Sequence, residues 1–393
     1  MNSKMTWSRR AFLQGIGYTS VPTMLNKWIP STRAEISPPE FAYVASATKD
    51  VVTEPGCSGS GIHVFDVGRN VWICKQCIPS RSPSALAFHP HRHVLYVANQ
   101  VDEYQGLPRG TVEAYKIDAC DGTLAFMNRQ SLSLSGINPR HIAISPDGTH
   151  LVAAIHGGGA YNVLLIEPDG SLGEIKQIWK EVGAGTHPVY QASSHPHTVM
   201  FDTAGEHLLA TDEGCDWLSV FAFHNGQLTR TGLTLCRAAS GPGHVAIHPC
   251  RAFVYIANTL DGSVTCHFWD VRRHEMKEIQ RMQIGSTDAA SGGFHLTLSP
   301  SGGMLYVTSP VNGISAWEID SMNGTLSFRQ RFGCNNRSFL SLNWSSDGRG
   351  IFAIDYRQDE ILSFPIDADT GELGQPSVVA QVTAPTSLLV SSQ

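Results

Sequence analysis

A unit recurring every 46 to 57 residues constrains this chain more than any other feature. It begins with an apolar run opened by Pro, His or a small residue, passes through a polar turn, and continues in a second apolar run. Six copies start at Pro83, Pro139, Pro196, Pro242, Gly293 and Phe339, as in "PRHIAISPDGTHLVAAIHG" and "PHTVMFDTAGEHLLATDEG". A third run with strand alternation follows each, for example "TVEAYKID" and "EILSFPID". After most of these a Gly-x-Leu turn ("DGTL", "DGSL", "NGQL", "NGTL", "TGEL") leads into a fourth. Alternation at every second residue marks strands, and Asn-Gly or Asp-Gly corners are hairpin chemistry. The unit is therefore a four-stranded antiparallel meander, and repeats of this period build arrays.

The seventh copy is split. The chain ends in "APTSLLVSSQ", which matches a first strand alone, whereas "FAYVASAT", "GIHVFDV" and "NVWICKQC" near the start supply strands two to four. Joining the halves completes a seventh sheet and removes the edges that an open array would expose. The expected fold is all-β: a seven-bladed β-propeller of four-stranded antiparallel blades, closed by the C-terminal strand joining the N-terminal blade. One propeller domain is expected over 36–393.

In such a blade the first strand is innermost, and its start lies at the same channel mouth as the end of the second. His197 of "HPHTVMFD" therefore reaches a shared pocket. Arg140 matches it in the preceding copy, while His141, His244 and His295 stand one residue further in. Second-strand ends bring His156, Asp212, Glu213 and, by repeat position, Arg357 to the same mouth. Polar groups converging there form the default ligand site. His195 and His197 lie two apart and can face one side. With Asp212 they could ligate a metal, although no tight Cys/His spacing supports one. A His with a nearby carboxylate also suits general-base work on water, with His197 as base and Asp212 orienting it. "HGGG" at 156–159 reads as a loop, because no nucleophile elbow accompanies it. Neither a metal nor another cofactor is expected.

Composition narrows the partners. Charged residues are 16% of 393 and the net charge is −6 without a basic stripe, which argues against nucleic acid, while the cluster at the channel mouth leaves a small-molecule partner expected. "SRRAFLQG", with Arg9-Arg10 ahead of a modestly apolar stretch, reads as a twin-arginine export signal. Residues 1–35 are therefore set apart from the fold, and a periplasmic or secreted location is expected. No other segment approaches the ~18 apolar residues of a membrane span. Nine cysteines leave at least one unpaired. Cys74 and Cys77 form a lone CxxC on a strand-like segment, where residues three apart face opposite sides, so two unlinked thiols are expected there.

The motifs "NPRHIAISPDG", "PDGSLG", "HPHTVMFD", "GPGH", "SPSGGMLYV" and "TAPTSLLV", in that order over about 40–390, carry a resemblance. The chain resembles the lactonase family of seven-bladed propellers, which includes propeller-type 6-phosphogluconolactonase and fungal carboxymuconate-lactonizing enzymes. The resemblance implies a lactone hydrolase with His197 in the place of the family's motif histidine. It also implies departures. Gly243, Pro310 and Trp217 stand where the family has Arg, and Thr259 where it has Glu. Tyr190 replaces an Arg ahead of Gln191, and His295 stands where the family tends to have Glu, while Asp212, Gly214 and Asp216 remain. Arginine forks grip anionic groups in bidentate fashion, so their loss points to a less anionic ligand. Arg140 and Arg357 are the nearest replacements.

Two function classes follow. One is an exported hydrolase of a sugar-lactone-like ester, with the substrate held by Arg140, His156, His195, Glu213, His244, His295 and Arg357. The other is a non-catalytic exported propeller that binds a small molecule or a protein on the same face.

Overall fold

Seven four-stranded antiparallel sheets make up the described part of the chain. The computed structural model describes residues 40–47, 61–68, 71–285, 294–333 and 336–391. The expected export signal over 1–35 lies outside the described residues. Blade 1 joins Pro385–Val390 to Phe41–Ser46, Gly61–Asp66 and Ile73–Pro79. The innermost strands of blades 2 to 7 are Pro83–Phe88, Pro139–Ile144, Pro196–Phe201, Pro242–Ile247, Leu296–Leu298 and Phe339–Trp344. The all-β seven-bladed propeller expected from the repeats is the observed fold, and the split blade closes as expected. Among the described residues no helix is long and apolar enough to cross a membrane.

Burial along each strand follows its distance from the axis. Second strands such as Val94–Asn99 and Phe253–Asn258 are buried at every position, because neighbouring blades cover both of their faces. The fourth strand Leu172–Lys180 alternates buried or half-buried with exposed residues, since solvent meets one face. The core is accordingly not central. It is divided into seven apolar clusters, one between each pair of adjacent blades. The cluster between blades 7 and 1, with Phe352, Ile354, Val44 and Leu388, joins the two ends of the described chain.

The Gly-x-Leu turns do more than reverse the chain. Each presents the amide and carbonyl of its leucine to a side-chain amide on the fourth strand of the preceding blade. Gln76 clamps Leu124 (2.7 and 3.0 Å), Asn128 clamps Leu172, Gln177 clamps Leu228, Gln280 clamps Leu326, and Gln330 clamps Leu373. Buried tyrosines on second strands bond the turn glycines of the next blade: Tyr43 to Gly122, Tyr96 to Gly170, Tyr255 to Gly324 and Tyr306 to Gly371. Gly122 shows why the turn position is glycine. Its φ is +74°, and an added Cβ would lie 2.3 Å from the Phe41 ring of blade 1.

Closure rests on Pro385–Val390 pairing with Phe41–Ser46, extended by Ser391 N–H to Phe41 O at 2.8 Å. Deleting 385–393 removes that ladder and the burial of Leu388, a side chain whose burial stabilises by about 1.5–3 kcal/mol. The expected result is a melting midpoint lower by at least about 2 °C, with aggregation through the bared edge. An unchanged calorimetric transition would rule out this closure.

Candidate functional site

The channel is furnished by a repeated irregularity. At the start of the innermost strand, pairing register shifts between Pro83 and Ala85, Pro139 and His141, Pro196 and Val199, Pro242 and Val245, and Phe339 and Ser341. Regular alternation would turn one of two consecutive residues away from the channel. A bulge re-aims it, so that Arg140 and His141, and His197 and Thr198, line one central cavity of about 500 Å³, which Phe294 and His295 also line. Proline suits the first position, where its missing N–H costs no ladder bond.

The site has a floor and a rim. In the floor, the rings of His244 and His295 have centroids 3.9 Å apart, and those of His141 and His244 are 6.2 Å apart. Burial lowers the pKa of each: His141 to about 4, His295 to about 3, and His244 well below the usual imidazole range. His197 is 7% exposed. Its Nδ1 pairs with Thr198 Oγ1 at 3.0 Å, and its Nε2 is buried without a partner. Burial, reinforced by the positive charge of Arg140, lowers its pKa to about 3 although Glu213 opposes the shift.

The rim is built from blades 3, 4 and 5. His156 opens the turn after the second strand of blade 3, His150–Ile155, and its ring stacks on His195 at 4.7 Å and 18°. Its Nε2 lies 3.5 Å from Glu213 Oε2, and its ring is 6.5 Å from that of His197. Glu213 Oε1 accepts a hydrogen bond from Thr259 Oγ1 at 2.6 Å. Burial works to raise the Glu213 pKa, but the His156 hydrogen bond, the nearby imidazoles and the Thr259 hydroxyl hold it down to about 2. Gly243 packs under Thr259: an added Cβ would lie 2.7 Å from Thr259 Cγ2 and 3.6 Å from His197 Cε1.

Asp212 does not orient His197, contrary to the expectation. Its carboxylate accepts the amides of His195, Gly214 and Cys215 at 2.8, 3.0 and 3.1 Å, and the Ser194 hydroxyl at 2.5 Å. It caps the turn after the second strand. Asp355 does the same in blade 7, accepting the amides of Ser338 and Arg357 at 3.1 Å each. The possible His195–His197–Asp212 metal set fails for the same reason. Among the described residues no group of three or more His, Cys, Asp or Glu has metal-holding geometry.

Other expectations fall elsewhere. Arg357 is exposed in the turn beyond Asp355 and does not line the cavity, because Arg337 takes the place beside Asp355 and Glu360. Trp217 is also absent from the channel, lying against the Arg230 guanidinium at 5.5 Å. Tyr190 is 42% exposed and packs on His187. The CxxC pair lies on the outermost strand of blade 1. Arg140, His197, His244 and His295 line the cavity, whereas His156, His195 and Glu213 stand outside its lining, beside His197. Sequence reasoning missed Thr198, whose hydroxyl holds His197, and Gln191, which donates to Glu213 O and Asp216 Oδ1 at 2.8 Å each. Adjacency to His197 and retention of the residue after Tyr190 were the available signals.

Comparison with known proteins agrees with this architecture. The family profile described as "Lactonase, 7-bladed beta-propeller" matches residues 41–390. A Bacillus subtilis protein named 6-phosphogluconolactonase is 26% identical over 295 residues, covering 74% of this chain and 82% of that protein. A Formosa agariphila protein of the same name is 24% identical over 330 residues, covering 80% of this chain and 91% of that protein. The periplasmic gluconolactonase of Pseudomonas aeruginosa superimposes with a TM-score of 0.77 at 23% identity, covering 90% of this chain and 99% of that one. That last likeness is one of fold.

The depressed values of His197 and Glu213 predict acid lability. An unfolded chain takes up a proton on His197 as pH falls below 6.5, whereas the folded chain resists until about 3. For Glu213 the corresponding range runs from 4.5 to about 2. Stability from both groups is thus complete above about pH 6.5 and declines as pH falls towards 3. Urea midpoints at pH 7, 5 and 4 should drop in that order, and less steeply in His197→Gln. Equal slopes in the two proteins would remove His197 from this account.

Proposed function

The chain belongs to the lactonase family of seven-bladed β-propellers, and on that premise we propose that its channel mouth hydrolyses the ring ester of an uncharged sugar lactone. The observation that carries the reading is Arg140. It lines the cavity, and among the described residues no carboxylate pairs with its guanidinium. A guanidinium available at a half-buried mouth stabilises the oxyanion that forms when water adds to a lactone carbonyl. The cavity, about 500 Å³, is of a size for one small ligand. Its hydroxyl, amide and imidazole lining, including Ser84, Gln100, Asn343 and Thr386, suits the alcohols of a sugar.

The charge at the mouth is an argument against a phosphorylated substrate. Arg140 carries the only permanent positive charge among the residues lining the cavity, and the ionised Glu213 lies near. A phosphate dianion would leave one negative charge unmatched in a partly desolvated site, which is costly. The resemblance points the same way, since Gly243, Trp217 and Pro310 stand in the places of family arginines. Export through Arg9 and Arg10 is part of the proposal, because an enzyme outside the cytoplasm rarely meets sugar phosphates. A non-catalytic propeller is the competing reading, favoured by one observation: Asp212 is fully engaged by three backbone amides and the Ser194 hydroxyl.

Acid release from a lactone panel separates these readings. Glucono-δ-lactone should be turned over in preference to its 6-phosphate, and Arg140→Ala should lower kcat/KM by about 10²-fold or more. Gly243→Arg should gain activity on the phosphate only together with Thr259→Glu, because the Thr259 methyl blocks a side chain at 243. Efficient hydrolysis of the phosphorylated lactone, indifferent to Arg140, would refute the charge argument. No turnover of any lactone would favour the binding propeller.

Replacing Arg9 and Arg10 with Lys should hold the protein in the cytoplasm. Cell fractionation with undiminished periplasmic protein would dismiss the signal.

A further inference from the structure

Two histidines at the mouth could move a proton, and the geometry separates them. His197 has one nitrogen on Thr198, the other buried, and no carboxylate hydrogen-bonded to it. His156 differs on each point. Its Nε2 faces Glu213 Oε2 at 3.5 Å, and its side chain is 31% exposed. Its Nδ1 is neither among the buried unpartnered atoms nor bonded to any described residue. A carboxylate beside one imidazole nitrogen holds the proton there and leaves the other nitrogen free to accept.

We infer that His156, oriented by Glu213, is the general base and acid of the lactone hydrolysis, a carboxylate–imidazole dyad assembled across blades 3 and 4. The inference rests on the lactone-hydrolase reading above. Every contact around the pair fixes it. His195 stacks on the His156 ring, its Nδ1 meets His156 O at 3.0 Å, and its own amide is held by Asp212 at 2.8 Å. Thr259 fixes the second Glu213 oxygen and is itself bonded to Gly241 O at 2.9 Å. Gln191 holds the Glu213 carbonyl. Asp212, expected beside the base, is thereby a positioning residue at one remove.

In the reaction, His156 Nδ1 takes a proton from water as the water oxygen bonds to the lactone carbonyl carbon. The carbonyl π pair moves onto oxygen, facing Arg140. Collapse of the tetrahedral species re-forms the carbonyl and breaks the bond to the ring oxygen. That oxygen takes the proton back from the imidazolium, giving the open hydroxy acid. The charges facing His156 are Glu213 and His195 from blade 4, His197 on the same blade, and Arg140 beyond it on blade 3. Of these only Glu213 carries a negative charge.

The test uses the full chain, glucono-δ-lactone and a pH-stat between pH 5 and 8. His156→Gly should lose about 10²-fold or more in kcat with KM changed less than about threefold, and added imidazole should restore part of the rate. Glu213→Gln, which retains an oxygen for Thr259, should move the acid limb of the pH–rate profile to lower pH. Thermal melts of both variants verify folding, and if His156→Gly does not fold, the Glu213→Gln profile alone decides. Wild-type turnover that survives in His156→Gly, or an acid limb unmoved in Glu213→Gln, overturns the dyad and leaves the lactonase reading intact. Absence of turnover in the wild type overturns that reading and the dyad with it.

Discussion

The structure depends on how each blade grips the next. Five leucines of Gly-x-Leu turns are held at both backbone groups by a Gln or Asn of the preceding blade. Each clamp satisfies a turn amide and carbonyl that would otherwise compete for water, and each net hydrogen bond contributes about 0.5–1.5 kcal/mol. The apolar clusters supply the larger, non-directional attraction between blades. The clamps add direction, because a side-chain amide bonds both groups only in one register. Together they set the rotation from blade to blade, and hence whether a seventh blade closes the ring.

Closure in turn makes the channel. Because no central core exists, the innermost strands face one another across a cavity rather than packing into it. The bulges at their starts place two side chains per blade against that cavity instead of one. This is how one short segment brings Arg140 and His141 to the same space, and the next His197 and Thr198. The result is a buried floor of imidazoles and a more polar rim. The same burial that lowers the basicity of His197 leaves His156 at the rim, in contact with both solvent and Glu213, and it is there that we propose the proton transfer.

The seven-bladed architecture of the lactonase family is kept. Thr259 and Gly243 fit each other closely, and the carboxylate at the mouth comes from Glu213 on the neighbouring blade, hydrogen-bonded to Thr259. Residues that match the family motif without touching the channel hold the backbone instead. Asp212 caps its turn, and Asp216 accepts the amides of Ala239 and Gly241. A motif match at these positions therefore reports on the loop and not on the chemistry.

The repeats and the split seventh unit were legible in the sequence, because strand alternation and turn chemistry are local and recur in phase. Tyr43, Tyr96, Tyr255 and Tyr306 stood in phase as well, yet their bonds to glycines of the next blade span 65 to 79 residues and could not be read from it. The partner of each polar group was likewise decided in three dimensions. Asp212 and Glu213 are neighbours in the chain, and alternation alone cannot tell which of them meets a histidine. The tertiary structure turns Asp212 into the backbone amides of its own turn and Glu213 towards His156 and Thr259 on the blades to either side. Sequence determined that a ring of seven blades would form. Packing between blades decided which carboxylate stands at its mouth, because that depends on the angle at which one blade meets the next.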